Sequence, residues 1–164
     1  MPIGYPLIQG LRFDFSSVTI RIGTQLFNGV KSLKYSQTLE PGIVRGNRSQ
    51  VIGRTRGPLD SEGSVELYRS EFQDLISALV TLPTAGAGAL GYMEVPFDIV
   101  AVYAEVGVPP ITDVLVGCRI KKHELSGQEG GDALTVACDL HVMSILMGGA
   151  GGVPVAPIGA KFLK

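Results

Sequence analysis

Long apolar runs are missing from this sequence, since Gly, Pro or a charged residue interrupts every hydrophobic stretch within a few positions. None approaches the ~20 residues that a spanning helix requires, so no membrane anchor is expected. The start, MPIGYPLIQGLRFDF, has neither a basic head nor a continuous apolar stretch and does not read as a secretory signal. Assembly in a cytoplasm is the expectation. Cysteine is scarce too: Cys118 and Cys138 stand in apolar, strand-like segments, with no CxxC and no Cys/His spacing suited to zinc. Two small buried thiols, unlinked in a reducing compartment, fit that pattern, and no metal or cofactor is expected.

Charge is sparse and balanced. Lys plus Arg is 14 against 15 for Asp plus Glu, a net charge of -1, so nothing overall draws the chain onto nucleic acid or an anionic membrane. Hydrophobic residues make up 45% and charged ones 18%, which leaves few charges to cover an isolated monomer and suggests surface shared with partners. At 164 residues the chain fits a single domain, 1–164.

What is present is strict alternation. Ser17, Thr19 and Arg21 alternate with Val18, Ile20 and Ile22, and Ser32, Lys34, Ser36 and Thr38 alternate with Leu33, Tyr35 and Leu39; both are half-buried strands. Gly23 and Asn28-Gly29 mark turns between them. From 40 to 60 the chain carries Arg45, Arg48, Arg54 and Arg56 with no acid between its ends, and several Gly and Pro, which reads as a protruding basic loop or ribbon that packs on something outside its own core. Ser64 to Tyr68 is a short strand. Ser70 then opens a helix with Gln73 as its capping-box partner, and Phe72, Leu75, Ile76, Leu79 and Val80 form the dry face before Pro83 ends it.

Tyr92 to Ala104 predicts a strand broken by Pro96, and Val108 to Pro110 a further break. Val114 to Leu125 and Ala133 to Leu146 predict a hairpin around a Gly-rich turn, with Arg119, Lys121 and His123 on one face and Thr135, Asp139 and His141 on the other strand's matching face. That register sets Lys121 against Asp139. From 148 to 164, Gly and Pro predict an extended C-terminal arm.

The chemical motifs are weak. Gly86-x-Gly88-x-x-Gly91 follows a helix and precedes a strand, the reverse of a dinucleotide site. His141 has Asp139 two positions away on its strand and Ser144 on the opposite face, an arrangement that does not make a nucleophilic triad. The arginine-rich stretch has no Phe, Tyr or Trp for base stacking, so contacts to a neighbouring subunit suit it better than nucleic acid. Two readings from different classes stand: a structural assembly subunit, and a small β-rich hydrolase or ligand-binding barrel using His141 or the loop 84–91.

Phe27 to Ser36 (FNGVKSLKYS), the arginine-rich GRTRG at 53–57 and Ser64-Val65-Glu66-Leu67-Tyr68 leading into Phe72 to Leu79 resemble phage tail tube proteins. That resemblance implies a mainly β, sandwich- or barrel-like domain with one flanking helix, similar to the tubes of type VI secretion and other contractile injection machines. It implies six copies in a ring, rings stacked into a hollow conduit for DNA, and sheath or other tail proteins, a terminator and a baseplate as partners. The location it implies is the virion tail, and the role structural rather than enzymatic. On that basis Arg45, Arg48, Arg54 and Arg56 are candidate inter-subunit contacts, and Ser17, Thr19, Ser36, Thr38, Lys121, Thr135 and Asp139 candidate lumen-facing residues. A secretion or bacteriocin-like machine built on the same tube is the alternative.

Overall fold

The alternation of Val18, Ile20 and Ile22 with Thr19 and Arg21 becomes a strand in the computed structural model, which describes residues 18–47, 49–82, 91–105, 108–127, 130–148 and 154–155. This strand, β1 (Val18–Ile22), is followed by β2 (Gln25–Phe27), β3 (Val30–Leu39), β4 (Ile43–Arg45), β5 (Val51–Arg54), β6 (Leu59–Tyr68) and the helix α1 (Arg69–Thr81). Then come β7 (Phe97–Glu105), β8 (Val108–Ser126), β9 (Thr135–His141), β10 (Ser144–Gly148) and β11 (Pro154–Val155). Mainly β with one helix is what the alternation predicts. The strands β4 and β5 pair with each other as a separate ribbon, while the rest build one antiparallel sheet in the order β2-β1-β7-β8-β9-β6-β3, with β10 beside β8 and β11 beside β10.

The long strand β8 turns the sheet back on itself. Up to Cys118 it pairs with β7, and from Arg119 onward with β9. Just before this changeover, where the pairing with β7 is irregular between Leu115 and Cys118, lies Gly117 at φ 66°, a left-handed conformation that favours glycine. The partner strand breaks at the same level: Val142 and Met143 separate β9 from β10, and the Met143 amide donates to the Val116 carbonyl at 3.1 Å. The half containing β1, β2 and β7 then faces the half containing β9, β6 and β3 across one core. Ile20, Ile99 and Leu115 meet Val65, Leu67 and Leu140 there, and Phe72, Leu75 and Leu79 of α1 cover it from one side. Each such side chain removed from water contributes about 1.5–3 kcal/mol.

Several sequence expectations shift. The helix begins at Arg69, because its backbone amide is taken by the Leu134 carbonyl at 3.0 Å as β6 runs straight into α1. Ser70 therefore lies inside the first turn, no side chain caps the helix, and Gln73 accepts from Arg69 Nη1 at 3.3 Å instead of closing a capping box. Ile76 is half-buried and Val80 exposed, so the dry face is narrower than the helical spacing suggests. Leu39 is 50% exposed, because β3 outruns the core at its end. Pro109 and Pro110 do not break the chain; they sit near the start of β8, beside a stretch where its pairing with β7 is irregular. Residues 92–94 form a turn and the strand starts after Pro96. The ribbon is shorter than 40–60, since β6 already begins at Leu59. Of the C-terminal arm, Gly148 belongs to β10 and 154–155 pair back onto it; 149–153, 156–164 and most of the loop 84–91 lie outside the described residues.

Cys118 and Cys138 are buried and unlinked. Burial pushes both thiols up to about 12 from an ordinary 9.0, with Asp98 adding to the effect at Cys118 and Asp139 at Cys138. A raised folded-state value favours the protonated form, so this contribution to stability is complete below pH 9 and is lost as pH climbs from 9 toward 12. Ellman's reagent at pH 8 is therefore expected to leave the native protein unlabelled and to titrate both thiols after unfolding. Rapid native labelling would contradict the burial.

Candidate functional site

The strands β8, β9, β6 and β3 lie side by side, and their outward residues form one polar face. Pairing sets Asp139 of β9 beside Ser64 of β6 and Lys122 of β8, and Ser64 beside Lys34 of β3. One level away, His141 lies between Arg119 and Glu62, and Glu62 beside Ser36. Thr38 stands beside Asp60. A shallow depression of about 380 Å³ opens at the centre, lined by Lys34, Ser36, Glu62, Ser64, Lys121 and Asp139.

The face is electrically balanced. Asp60, Glu62, Glu66, Glu124 and Asp139 offset Lys31, Lys34, Arg119, Lys121 and Lys122 across it. Lys31 Nζ donates to Glu66 Oε1 at 3.1 Å, and this bond, with a second from Thr135, holds the Glu66 carboxyl below its usual range. Lys122 and Glu124 pair at 2.5 Å, which raises the lysine and lowers the glutamate. Both of these are exposed, so their pairing is of small energetic consequence.

Not every predicted residue arrives where the alternation puts it. Ser36, Thr38, Lys121 and Asp139 share the face. Thr135 has the right parity but is buried, its hydroxyl within 3.0 Å of Ser126 Oγ. Thr19 is exposed on β1 in the other half of the sheet, and Ser17 lies outside the described residues. A bulge between Ile120 and Lys122 moves the pairing by one, so Asp139 stands beside Lys122 instead of Lys121. The same bulge turns His123 beneath the sheet, where its ring lies 5.6 Å from Phe72 and 6.1 Å from Tyr92. His141 stays on the polar face, while Ser144 lies beyond the strand break with its hydroxyl buried, so the structure does not bring a triad together.

The acids of β6 are the feature that alternation did not reveal. Asp60, Glu62, Ser64 and Glu66 do alternate, but the inward positions between them are Ser61, Gly63 and Val65, too polar at first to signal a dry face. Gly63 lies where the two halves of the sheet meet: a Cβ there would stand in ordinary contact with Val142 at 3.4 Å and Leu115 at 3.5 Å.

Both edges of this four-stranded unit are open among the described residues. On one side β3 pairs with β6 alone, and on the other β8 beyond Cys118 pairs with β9 alone. The β4–β5 ribbon continues from the end of the β3–β6 pair, and its Ile43, Val44, Val51 and Ile52 are all exposed. Arg45 and Arg54 are exposed on its strands and Arg56 follows; Arg48 lies outside the described residues.

No protein-family model matches the chain, and no curated protein matches it. Solved structures do. A chain of the sheath/tube terminator of an extracellular contractile injection system (PVC) superposes with a TM-score of 0.64 at 10% identity, covering 85% of this chain and 98% of that one. A chain of the PVC sheath-tube complex gives 0.61 at 10% identity, with 83% and 90% covered. The SPP1 tail tube gives 0.53 at 13% identity, with 84% and 80% covered. The protein has the tail-tube-like fold.

Proposed function

We propose that this protein is a structural tube subunit, six copies closing into a ring and rings stacking into the hollow tail tube of a phage. The observation that carries the reading is the polar four-stranded face with its two open edges. Successive strands are antiparallel, so an even number leaves β3 and β8 running in opposite directions. The β3 edge of one copy can then accept the β8 edge of the next without breaking the antiparallel pattern, and ring closure removes both unpaired edges. Six-fold closure of such a head-to-tail contact needs no self-complementary patch.

In that ring the polar face lines the channel, with Ser36, Thr38, Lys121 and Asp139 toward the lumen. Its balanced charge lets hydrated DNA pass without an electrostatic grip, because binding to duplex DNA scales with the phosphates that cations neutralise. The ribbon reaches into a neighbour: a two-stranded hairpin is marginal alone in water, and its exposed Ile43, Val44, Val51 and Ile52 need cover. Arg45, Arg48, Arg54 and Arg56 are then inter-subunit contacts, and the sheath, terminator and baseplate of a tail are the partners.

Negative-stain electron microscopy across a concentration series tests the proposal. Six-fold rings or hollow tubes are expected; uniform small particles at every concentration and salt would overturn it. Neighbouring capsid and terminase genes are expected for a phage tail, whereas a membrane-complex operon would move the same subunit to a secretion machine.

A further inference from the structure

Among the described residues the strand β3 has a neighbour on one side only, and toward its end it is short of apolar cover. Leu33 and Tyr35 pack on the core, but opposite Tyr35 and Gln37 stand Gly63 and Ser61, and Leu39 is exposed. Polar bonds hold this stretch across the interior. Tyr35 donates its hydroxyl proton to Asp113 Oδ2 on β8 and shares a hydrogen bond of 2.7 Å with the Tyr103 hydroxyl on β7. Gln37 Nε2 donates to the Ile145 carbonyl on β10 at 3.1 Å. Asp113 is 4% exposed, and its second oxygen accepts the Gly148 amide at 2.6 Å, where β10 ends. One buried carboxylate thus joins an edge strand to the opposite half of the sheet and to the end of β10.

Burial, and then the bonds to Asp113 and Tyr103, hold the Tyr35 hydroxyl well above the ordinary tyrosine range, so it remains a donor. Losing that donor would leave a buried carboxylate oxygen without its partner, a large penalty compared with the modest net worth of an average hydrogen bond.

We propose that Asp113 is an assembly latch: through Tyr35 it holds β3 in the curvature and register in which its free edge receives a second copy of this chain. The inference rests on the tube-subunit reading. An edge strand is a specific template only while its register and twist are fixed, and a strand that must be ordered at encounter associates less well. Core packing along β3 ends at Tyr35, with Leu39 exposed beyond it, and the bond to Asp113 fixes the hydroxyl end of that last packed side chain. Asp113 acts here as a positioning residue, since at 4% exposure it is enclosed within its own subunit and works through Tyr35.

Hydrogen exchange of the subunit below its assembly concentration, together with sedimentation across a concentration series, tests the latch. Tyr35→Phe keeps the ring and removes the donor; Tyr103→Phe leaves the Tyr35–Asp113 bond in place and serves as the comparison. In Tyr35→Phe the β3 amides are expected to exchange roughly ten- to a hundred-fold faster, with β9, paired on both sides, unchanged. Assembly should then require a concentration at least ~10-fold higher, while Tyr103→Phe changes both far less. Unaltered β3 exchange, or assembly at the wild-type concentration, overturns the latch. If Tyr35→Phe does not fold, the wild-type chain decides, because a latched β3 must exchange in step with β9, and opening ahead of β9 overturns it. A wild-type chain that never assembles would defeat the tube reading, while β3 exchange would still report on the bond.

Discussion

Leu115→Ala is expected to lower stability by about 2–5 kcal/mol, the cost of the lost transfer energy plus the cavity left behind. Leu115 is fully buried on β8 just before the Gly117 turn, and it closes against Gly63 from the opposite half of the sheet. A cavity there opens at the contact between the halves. Set against a total stability of 5–15 kcal/mol for an ordinary domain, the loss should reduce the melting temperature by roughly 5–20 °C. Thermal unfolding by circular dichroism reads it directly. Met143→Ala serves as the comparison because Met143 is 74% exposed, and it should stay within about 0.5 kcal/mol. If Leu115→Ala melts with the wild type, the two halves do not share the core described above.

Gly57→Val is expected to abolish assembly and leave the domain folded. Gly57 lies at the base of the ribbon at φ 69°, where a β-branched residue is strained, and an added Cβ would overlap the Glu40 carbonyl. The overlap is with backbone, so no rotamer change relieves it, and the base bond from the Glu40 amide to the Pro58 carbonyl at 3.2 Å must open. The β4–β5 ribbon would then leave its direction, while β3 and β6 keep their pairing from Leu39 and Leu59 inward. The melting temperature should move by no more than about 2–4 °C, the equivalent of ~1 kcal/mol. Tubes by electron microscopy should be absent even at ~10-fold higher concentration, the equivalent of a contact loss of about 1.4 kcal/mol or more. Normal tubes from Gly57→Val would remove the ribbon from the inter-subunit contact; global unfolding would show instead that the ribbon belongs to the domain.

The fold class was legible because alternation and helical spacing report directly on burial. Ile20 and Ile22 on β1, and Phe72, Leu75 and Leu79 on α1, are buried where the pattern puts them. The candidate site was legible in pieces: Ser36, Thr38, Lys121 and Asp139 reach one face, but the acids that balance it come from β6. That strand reads as five residues and is ten, because the inward positions of its first half hold Ser61 and Gly63, which carry no apolar signal. Tyr35 reads as one more residue of a dry face, and nothing local shows that it reaches Asp113, 78 positions away.

Local sequence determined the alternation of wet and dry residues along unbulged stretches such as β1, where the helix lies, and that the stretch 40–60 is basic and free of acid between its ends. Those properties depend on neighbours two to four positions away, and side-chain periodicity alone encodes them. Tertiary structure decided which strands stand together, that β6 lies between β3 and β9, and that a bulge at Lys121 exchanges the facing of His123 and the partner of Asp139. A period of two makes each face depend on every residue before it, so one bulged residue reverses the rest of the strand. The pairing of strands far apart in the chain, in turn, is settled by a shared core that no local segment contains.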